Sequence, residues 1–501
     1  MSQEPDSTHA DIAKRDAHQL RRGTLGVFGI AFFVVSAAAP LTAMAGGAPV
    51  AMLLGNGPGI PLAYVVVSVI LLIFAVGYTT MARHHTSTGA FYSFVARGLR
   101  QPAGGAAALI ALLGYNAMQI GLYGLFGAAA SGFVADVLGI TLPWWVFVFV
   151  AMAIIAVFGY RQVDLSVKVL SILVSLEFLI VLILDVAILI KGGEGGGAPL
   201  TATPFTWSAF TSGSIAIALL FNFASFIGFE ATTIYSEEAK DPKRTVPRAT
   251  FVAVLTIGLF YTVTTYLMVE GQGAAGLQEH LAGLTPDPTV FLFQLGGTYI
   301  GSALTTVMSL LFVSSVFAAL LAFHNAVARY LFALGREGLV PAQLGRTHSV
   351  HLSPHIGSIS QSVLAFVIVL LFVVTGQDPV LALFTWLTQL GTLAIITLMS
   401  LASFAVVAFF ARHRELDANP LRTIVAPVVG GVAMAAVAVY AASQFGLLIG
   451  NPESPLRWIL PALIVVAAVG GVAAALGLKG RSPELYAQMG RHRDIEMVPG
   501  A

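Results

Sequence analysis

Asn222-Phe223-Ala224-Ser225-Phe226-Ile227-Gly228-Phe229-Glu230 sets an amide, a hydroxyl, a glycine and a carboxylate inside an otherwise apolar run from Phe210 to Tyr235. A helix satisfies its own backbone, so an interruption at membrane depth is tolerated only where it is buried in protein or lines a cavity. A second interruption, Ser36-Ala37-Ala38-Ala39-Pro40, cuts the first apolar run, Thr24 to Leu54. Pro40 lacks an N–H and clashes with the preceding turn, but it suits the first residue of a new half-helix. Taken singly, Pro40 reads as a kink and Gly228 as a packing contact. Together they fall in the first and sixth runs, the equivalent members of two five-helix repeats, and interruptions paired in this way point to a carrier's central site.

Outward from these two stretches, the chain divides into runs that meet the roughly twenty apolar residues needed to cross hydrocarbon. Besides the first and the sixth they lie near Ile60 to Met81, Gly105 to Leu138, Trp144 to Phe158, Leu165 to Ile190, Pro247 to Val269, Tyr299 to Leu334, Ile356 to Thr375, Val380 to Phe410, Ile424 to Leu448 and Leu456 to Leu478. The predicted fold is therefore an all-α integral membrane protein of about 12 transmembrane helices, with spans one and six discontinuous. Composition agrees: of 501 residues 57% are hydrophobic and only 10% charged, against about a quarter charged in soluble domains. A net charge of +1 gives no case for a nucleic-acid partner. The absence of cysteine excludes disulfides, thiolate metal sites and cysteine nucleophiles. The 51 glycines read as close helix packing.

Cytoplasmic loops carry the excess of Lys and Arg. Of the 25 such residues, all but Lys191 and Arg457 fall in one alternate set: the two tails and the 2/3, 4/5, 6/7, 8/9 and 10/11 loops. This predicts an even number of spans in a cell membrane with both termini cytoplasmic. Arg21 and Arg22 ahead of an apolar run ending at Ala43-Met44-Ala45 resemble a secretory signal. The long preceding region with Glu4, Asp6, Asp11 and Asp16 argues instead for a first span.

Half-helix N-termini offer unpaired N–H groups and a positive dipole end to a carboxylate, and unwound carbonyls accept from an ammonium. The expected substrate is thus a small amine-bearing solute, foremost an amino acid. The residues expected to bind it are Ser36, Ala37, Ala38, Ala39, Leu41 and Thr42 at one break and Phe223, Ala224, Ser225, Phe226, Ile227 and Gly228 at the other. Gln119 joins them from span three, where Tyr115, Gln119 and Tyr123 share a face beside Asn116; interhelical packing is the alternative there, as for Trp386, Thr388 and Gln389 in span ten.

Gly228-Phe229-Glu230 followed by Tyr235-Ser236-Glu237-Glu238-Ala239-Lys240-Asp241-Pro242-Lys243-Arg244-Thr245-Val246-Pro247-Arg248-Ala249 closely resembles the amino acid-polyamine-organocation permeases. Asn325-Ala326-Val327-Ala328-Arg329-Tyr330, with Leu334-Gly335-Arg336-Glu337-Gly338-Leu339-Val340-Pro341, resembles the eighth span and following loop of that family, and Ser87-Thr88-Gly89-Ala90-Phe91-Tyr92 is a weaker match. The resemblance implies a LeuT-type 5+5 inverted-repeat core over residues 24–410, with repeats near 24–190 and 210–410. Spans eleven and twelve (411–478) are then peripheral, between cytoplasmic tails at 1–23 and 479–501. The chain departs from the family in span one, where Ala38-Ala39-Pro40 replaces a Gly-Ser-Gly-like break and Pro40 can donate nothing. It departs again at Ala224, where some members place an aromatic gate; Phe223 and Phe226 are the substitutes.

An ionisable residue at the bilayer centre is costly and by default functional. Glu177 lies roughly 18–20 Å from either end of span five at ~1.5 Å per residue. By resemblance it stands where proton-coupled permeases can carry a lysine in place of a sodium ion. It is a candidate proton carrier or partner of a cationic substrate group, with a permanently protonated structural Glu as the alternative. Glu230 reads first as a cap on the second half of span six and second as a direct contact. Ser314 and Ser315 resemble sodium ligands of LeuT-type carriers, though hydroxyl pairs also simply pack helices. Asp185 is expected to be solvated near the outer end of its span. The expectation is a secondary active transporter working by alternating access, coupled to protons, with no cofactor. A polyamine or cationic amine transporter, an exchanger, a sodium-coupled carrier and a membrane sensor remain alternatives. Neither HExxH, a P-loop nor GxSxG is present, and His84-His85 and His351-x-x-x-His355 lie in basic loops without carboxylates, so an enzyme or a nucleotide-driven pump is not expected.

Overall fold

The computed structural model describes residues 26–37, 39–84, 90–161, 167–230, 232, 240–348 and 353–490. Ala38, the tails at 1–23 and 491–501, the stretch Tyr235 to Ala239, Ser87 to Gly89, His85 and His351 lie outside the described residues. Among the described residues, ten helices are long and apolar enough to cross a membrane: Gly57–Ala82, Gln101–Leu138, Trp144–Arg161, Ser171–Lys191, Lys243–Gln272, Ser302–Arg336, His355–Val374, Pro379–Arg412, Leu421–Ser443 and Leu456–Arg481. They occupy the positions of spans two to five and seven to twelve. Their boundaries differ from the hydropathy reading by up to six residues, most at the start of span five, where Ser171 replaces Leu165. Gly301, at φ 84°, separates a short helix Phe291–Tyr299 from span eight. A turn at Gln444 ends span eleven before the short helix Phe445–Ile449.

Spans one and six are not continuous. In span one the helix Val27–Ala37 stops; Ala39, a non-glycine residue at φ 44°, reverses the local hand of the backbone, and helix resumes at Pro40. The resumed part starts with a wide π-turn, Thr42–Gly47, and ends with Ala48–Leu54. Such π-turns cluster at functional sites because they displace side chains from α-helical register. Span six forms a helix over Ile215–Ala224, then tight turns from Ser225 to Glu230. Gly228 sits there at φ 113°, a conformation that a side chain resists.

Span five shows how the membrane shapes these helices. Ile172, Leu176, Leu179, Leu182, Val186 and Leu189 recur at helical spacing and are all exposed. Val174, Glu177, Val181, Leu184, Asp185 and Ile188 form the buried face. The outward stripe is more apolar than the inward one, the reverse of a soluble helix and the arrangement required when lipid is the solvent. Glycine sets the closest helix approaches. A Cβ on Gly105 of span three would lie 2.3 Å from the Gly471 carbonyl of span twelve, and one on Gly471 would lie 2.0 Å from the Gly105 carbonyl. The two backbones therefore touch directly. Span eleven packs on spans two and ten, where Ser400 donates to the Gly431 carbonyl at 2.9 Å.

Candidate functional site

The restarted half of span one points its second residue at span five. Leu41 N–H donates to Glu177 Oε2 at 3.4 Å, and Ser315 Oγ of span eight donates to the same oxygen at 2.8 Å. Thr42 Oγ1 lies 2.9 Å from Ser315 Oγ. Because the Ser315 proton is directed to the carboxylate, Thr42 donates to Ser315. Helices from three parts of the chain thus meet at one carboxylate only 2% exposed. Expected as a substrate contact, the Leu41 amide is turned in this structure toward the protein's own Glu177. Pro40, which removes one N–H just before Leu41, leaves that amide as the first donor of the half-helix.

Span six approaches the same region. Tyr64 of span two donates to Ser225 Oγ across 2.9 Å, while Ser225 donates to the Phe221 carbonyl at 3.3 Å. Tyr261 of span seven closes the cluster, its ring 5.5 Å from that of Tyr64 and 6.2 Å from that of Phe226. Glu230 lies at the far end of the turns. Its Oε2 accepts from Gly228 N–H at 2.8 Å and its Oε1 from Tyr115 of span three at 2.9 Å, while Tyr78 donates to its carbonyl at 3.2 Å. The carboxylate therefore holds the turn containing Gly228 and ties it to span three, while the Glu230 backbone carbonyl ties it to span two. A small void of about 10 Å³ adjoins it, lined by Leu71, Phe223, Phe226, Ile396 and Met399 among others, with Glu230 and Thr392 as polar walls. Ala224 is half-buried, and Phe223 and Ile227 are buried.

Other expected residues are placed elsewhere. Gln119 accepts from Gln361 of span nine and donates to Tyr123 at 3.2 Å, so its amide is engaged between spans three and nine. Ser314 donates to the Leu311 carbonyl of its own helix at 2.9 Å, unlike its neighbour Ser315. Trp386 donates to the Leu448 carbonyl and Thr388 to that of Phe384, both packing contacts. Ser36 and Ala37 end the helix before the break. Asp185 corrects the sequence reading: it is not solvated but 3% exposed, and its Oδ2 accepts from Thr264 Oγ1 of span seven at 2.7 Å. Val181, Leu184 and Ile188 share its side of the helix, but the opposite face is at least as apolar, so periodicity did not mark that side as inward. Tyr64, Tyr261 and Thr264 carried no signal either; hydroxyls in apolar runs look alike until packing selects among them.

The model of the family described as amino acid permease matches residues 25–474. The chain belongs to this family. The permease is 24% identical over 428 residues to the low-affinity putrescine importer of Escherichia coli (strain K12), covering 82% of this chain and 86% of that protein. It is 25% identical to the branched-chain amino acid permease of Bacillus subtilis (strain 168), over 60% of this chain and 65% of the relative. In fold the permease resembles the crystal structure of a manganese transporter mutant from Eremococcus coleocola, with a TM-score of 0.55 at 12% identity, covering 94% of this chain and 98% of that one. The permease is thus a multi-pass membrane transporter of the amino acid-polyamine-organocation superfamily with the LeuT-type arrangement of helices.

Proposed function

We infer that this permease is a proton-coupled carrier of an amino acid, working by alternating access, with its termini and the basic loops on the cytoplasmic side of the cell membrane. The observation that carries the reading is the Glu177 cluster. A carboxyl group at the break in span one, bonded to Leu41 N–H and Ser315, can exchange a proton as spans one, five and eight change their mutual packing. A proton on Glu177 removes the negative charge facing the half-helix end and leaves that end open to a substrate carboxylate. The ammonium has unwound carbonyls of span six within the same region, and the substrate-binding set stays as the two breaks with Phe223 to Gly228. Phe223, Phe226 and Ile227 are apolar members of that set, which suits an uncharged side chain. The relative described as a branched-chain amino acid permease agrees with that preference, and the one described as a putrescine importer keeps diamines among the compounds to test. Sodium is the second reading, because Thr42, Ser315 and Glu177 present three oxygens at one point, the ligand type a hard cation takes.

Uptake of labelled leucine, arginine and putrescine into liposomes containing the protein, under imposed pH or sodium gradients, tests this. Saturable leucine uptake driven by an inward proton gradient is expected, with Glu177→Gln removing the proton drive. Uptake driven by sodium alone selects the second reading, and no saturable uptake of any of the three overturns both.

A further inference from the structure

Span five carries a second buried acid that the Glu177 cluster does not use. Asp185 Oδ2 is held by Thr264, and its Oδ1 is buried with no hydrogen-bond partner among the described residues. It lies eight residues past Glu177, about 12 Å along the helix at ~1.5 Å per residue, on the buried side of the span and toward the Lys191 end. Thr264 follows Tyr261 by three residues on span seven, so the two hydroxyl-bearing side chains share a face of that helix. Phe260, next to Tyr261 on span seven, packs its ring 4.6 Å from that of Phe178, next to Glu177 on span five, so the two spans are also in contact at the level of Glu177. The seam between spans five and seven therefore runs from Asp185 through Thr264 and Tyr261 to Glu177, with all four residues buried.

Other titratable groups near this seam are held by partners of their own. On span five Lys191 donates to the Tyr299 carbonyl at 2.7 Å. On span seven Tyr266 donates to the Thr201 carbonyl, and Glu270 accepts from Thr201 Oγ1. On the short helix Phe291–Tyr299, Tyr299 donates to the Gly192 and Gly271 carbonyls. The helix Val27–Ala37 and the part of span eight from Ser302 to Ser315 carry no titratable residue. Glu177 is left as the acid that Asp185 can serve.

We propose that Asp185 is the proton-loading group of the permease, taking a proton from extracellular water and passing it along the seam to Glu177. This rests on the reading of Glu177 as the coupling group and on the orientation given above. Only O–H bonds form and break. The Asp185 carboxylate gains a proton from hydronium. The hydroxyls of Thr264 and Tyr261, with water in the seam, each accept one proton and release another. Glu177 ends as a carboxylic acid and Asp185 returns to carboxylate. A carboxyl this deep in a membrane protein is expensive to keep without work to do.

Proteoliposomes separate the steps. For Asp185→Asn, proton-driven leucine uptake is expected to fall at least tenfold and to lose its dependence on external pH. Leucine counterflow, which needs no net proton movement, should stay within twofold of wild type and shows that the protein is folded. Thr264→Val keeps the carboxyl but cuts the hydroxyl path, and the same split is expected. Wild-type uptake and pH profile in Asp185→Asn, alongside loss of proton dependence in Glu177→Gln, overturns the loading role and leaves the coupling role intact. If Glu177→Gln also keeps its pH profile, the reading beneath the proposal fails. Should Asp185→Asn lose counterflow as well, Thr264→Val decides: wild-type behaviour there overturns the relay.

Discussion

At the residue scale, the two breaks are built from unlike pieces. Gly228 occupies its turn at φ 113° because it lacks a Cβ, and Glu230 pins it by accepting from its N–H. Ala39 adopts φ 44° with a side chain present, a conformation held only where surrounding structure determines it. Gly228→Ala is expected to cost about 1–3 kcal/mol through backbone strain and to lower uptake more than it lowers the thermal midpoint, measured on the same purified protein. The sequence made Gly228 and Pro40 visible because glycine and proline act through their own backbones. It could not show that Leu41 would donate to Glu177, since that bond joins residues 136 positions apart and depends on how two helices cross.

At the element scale, a segment near the C-terminus docks on the loop side of the bundle. The helix Pro483–Gln488 carries Met489 into a cluster with Tyr92, Ala96, Leu334, Leu339 and Leu478. Tyr92 donates to the Glu337 carboxylate, just past the end of span eight, and the Gly490 backbone reaches the same carboxylate. Burial pushes the Glu337 carboxyl above the usual carboxylate range, with the Tyr92 and Gly490 hydrogen bonds opposing it. A raised value in the docked state means that the docked form favours the proton. Its stabilisation is complete below the ordinary glutamate value near ~4.3 and is lost as pH rises through the raised one. Amide exchange over residues 483–490, corrected for intrinsic rates, should therefore speed up on raising the pH through that window, and Glu337→Gln should flatten the dependence. Hydropathy located the spans but was silent here. Residues 479–501 read only as a cytoplasmic tail, because six or seven residues of marginal apolarity give no periodic signal, and docking is decided by the partner surface.

At the scale of the whole molecule, the long apolar runs and the asymmetry of loop charge made the architecture readable. Ten of the expected spans are single helices and the other two break where Pro40 and Gly228 announce it. What stayed unread was which buried polar groups meet, as with Asp185, because apolar neighbours on both faces of span five hide which side is inward. The outward face makes its own prediction. Leu179, 53% exposed at the middle of span five, should tolerate arginine poorly, with about 2.5–3.5 kcal/mol lost in membrane insertion. Ile190→Arg at the end of the span should cost little, because a long cationic side chain reaches the interface; the inserted fraction of each variant, measured by alkaline extraction of membranes, compares the two. The bond between Leu41 N–H and Glu177 also has a thermodynamic reading. On the proposed function, a substrate carboxylate at the start of that half-helix would compete with a negative charge on Glu177 for one positive end, so that proton and anion would assist each other's binding. By reciprocity, whatever factor a proton adds to the affinity for a carboxylate-bearing solute, that solute adds to the affinity for the proton. With the coupling proposed above, the permease would take up its two passengers as a pair, each making the other's departure alone less favourable.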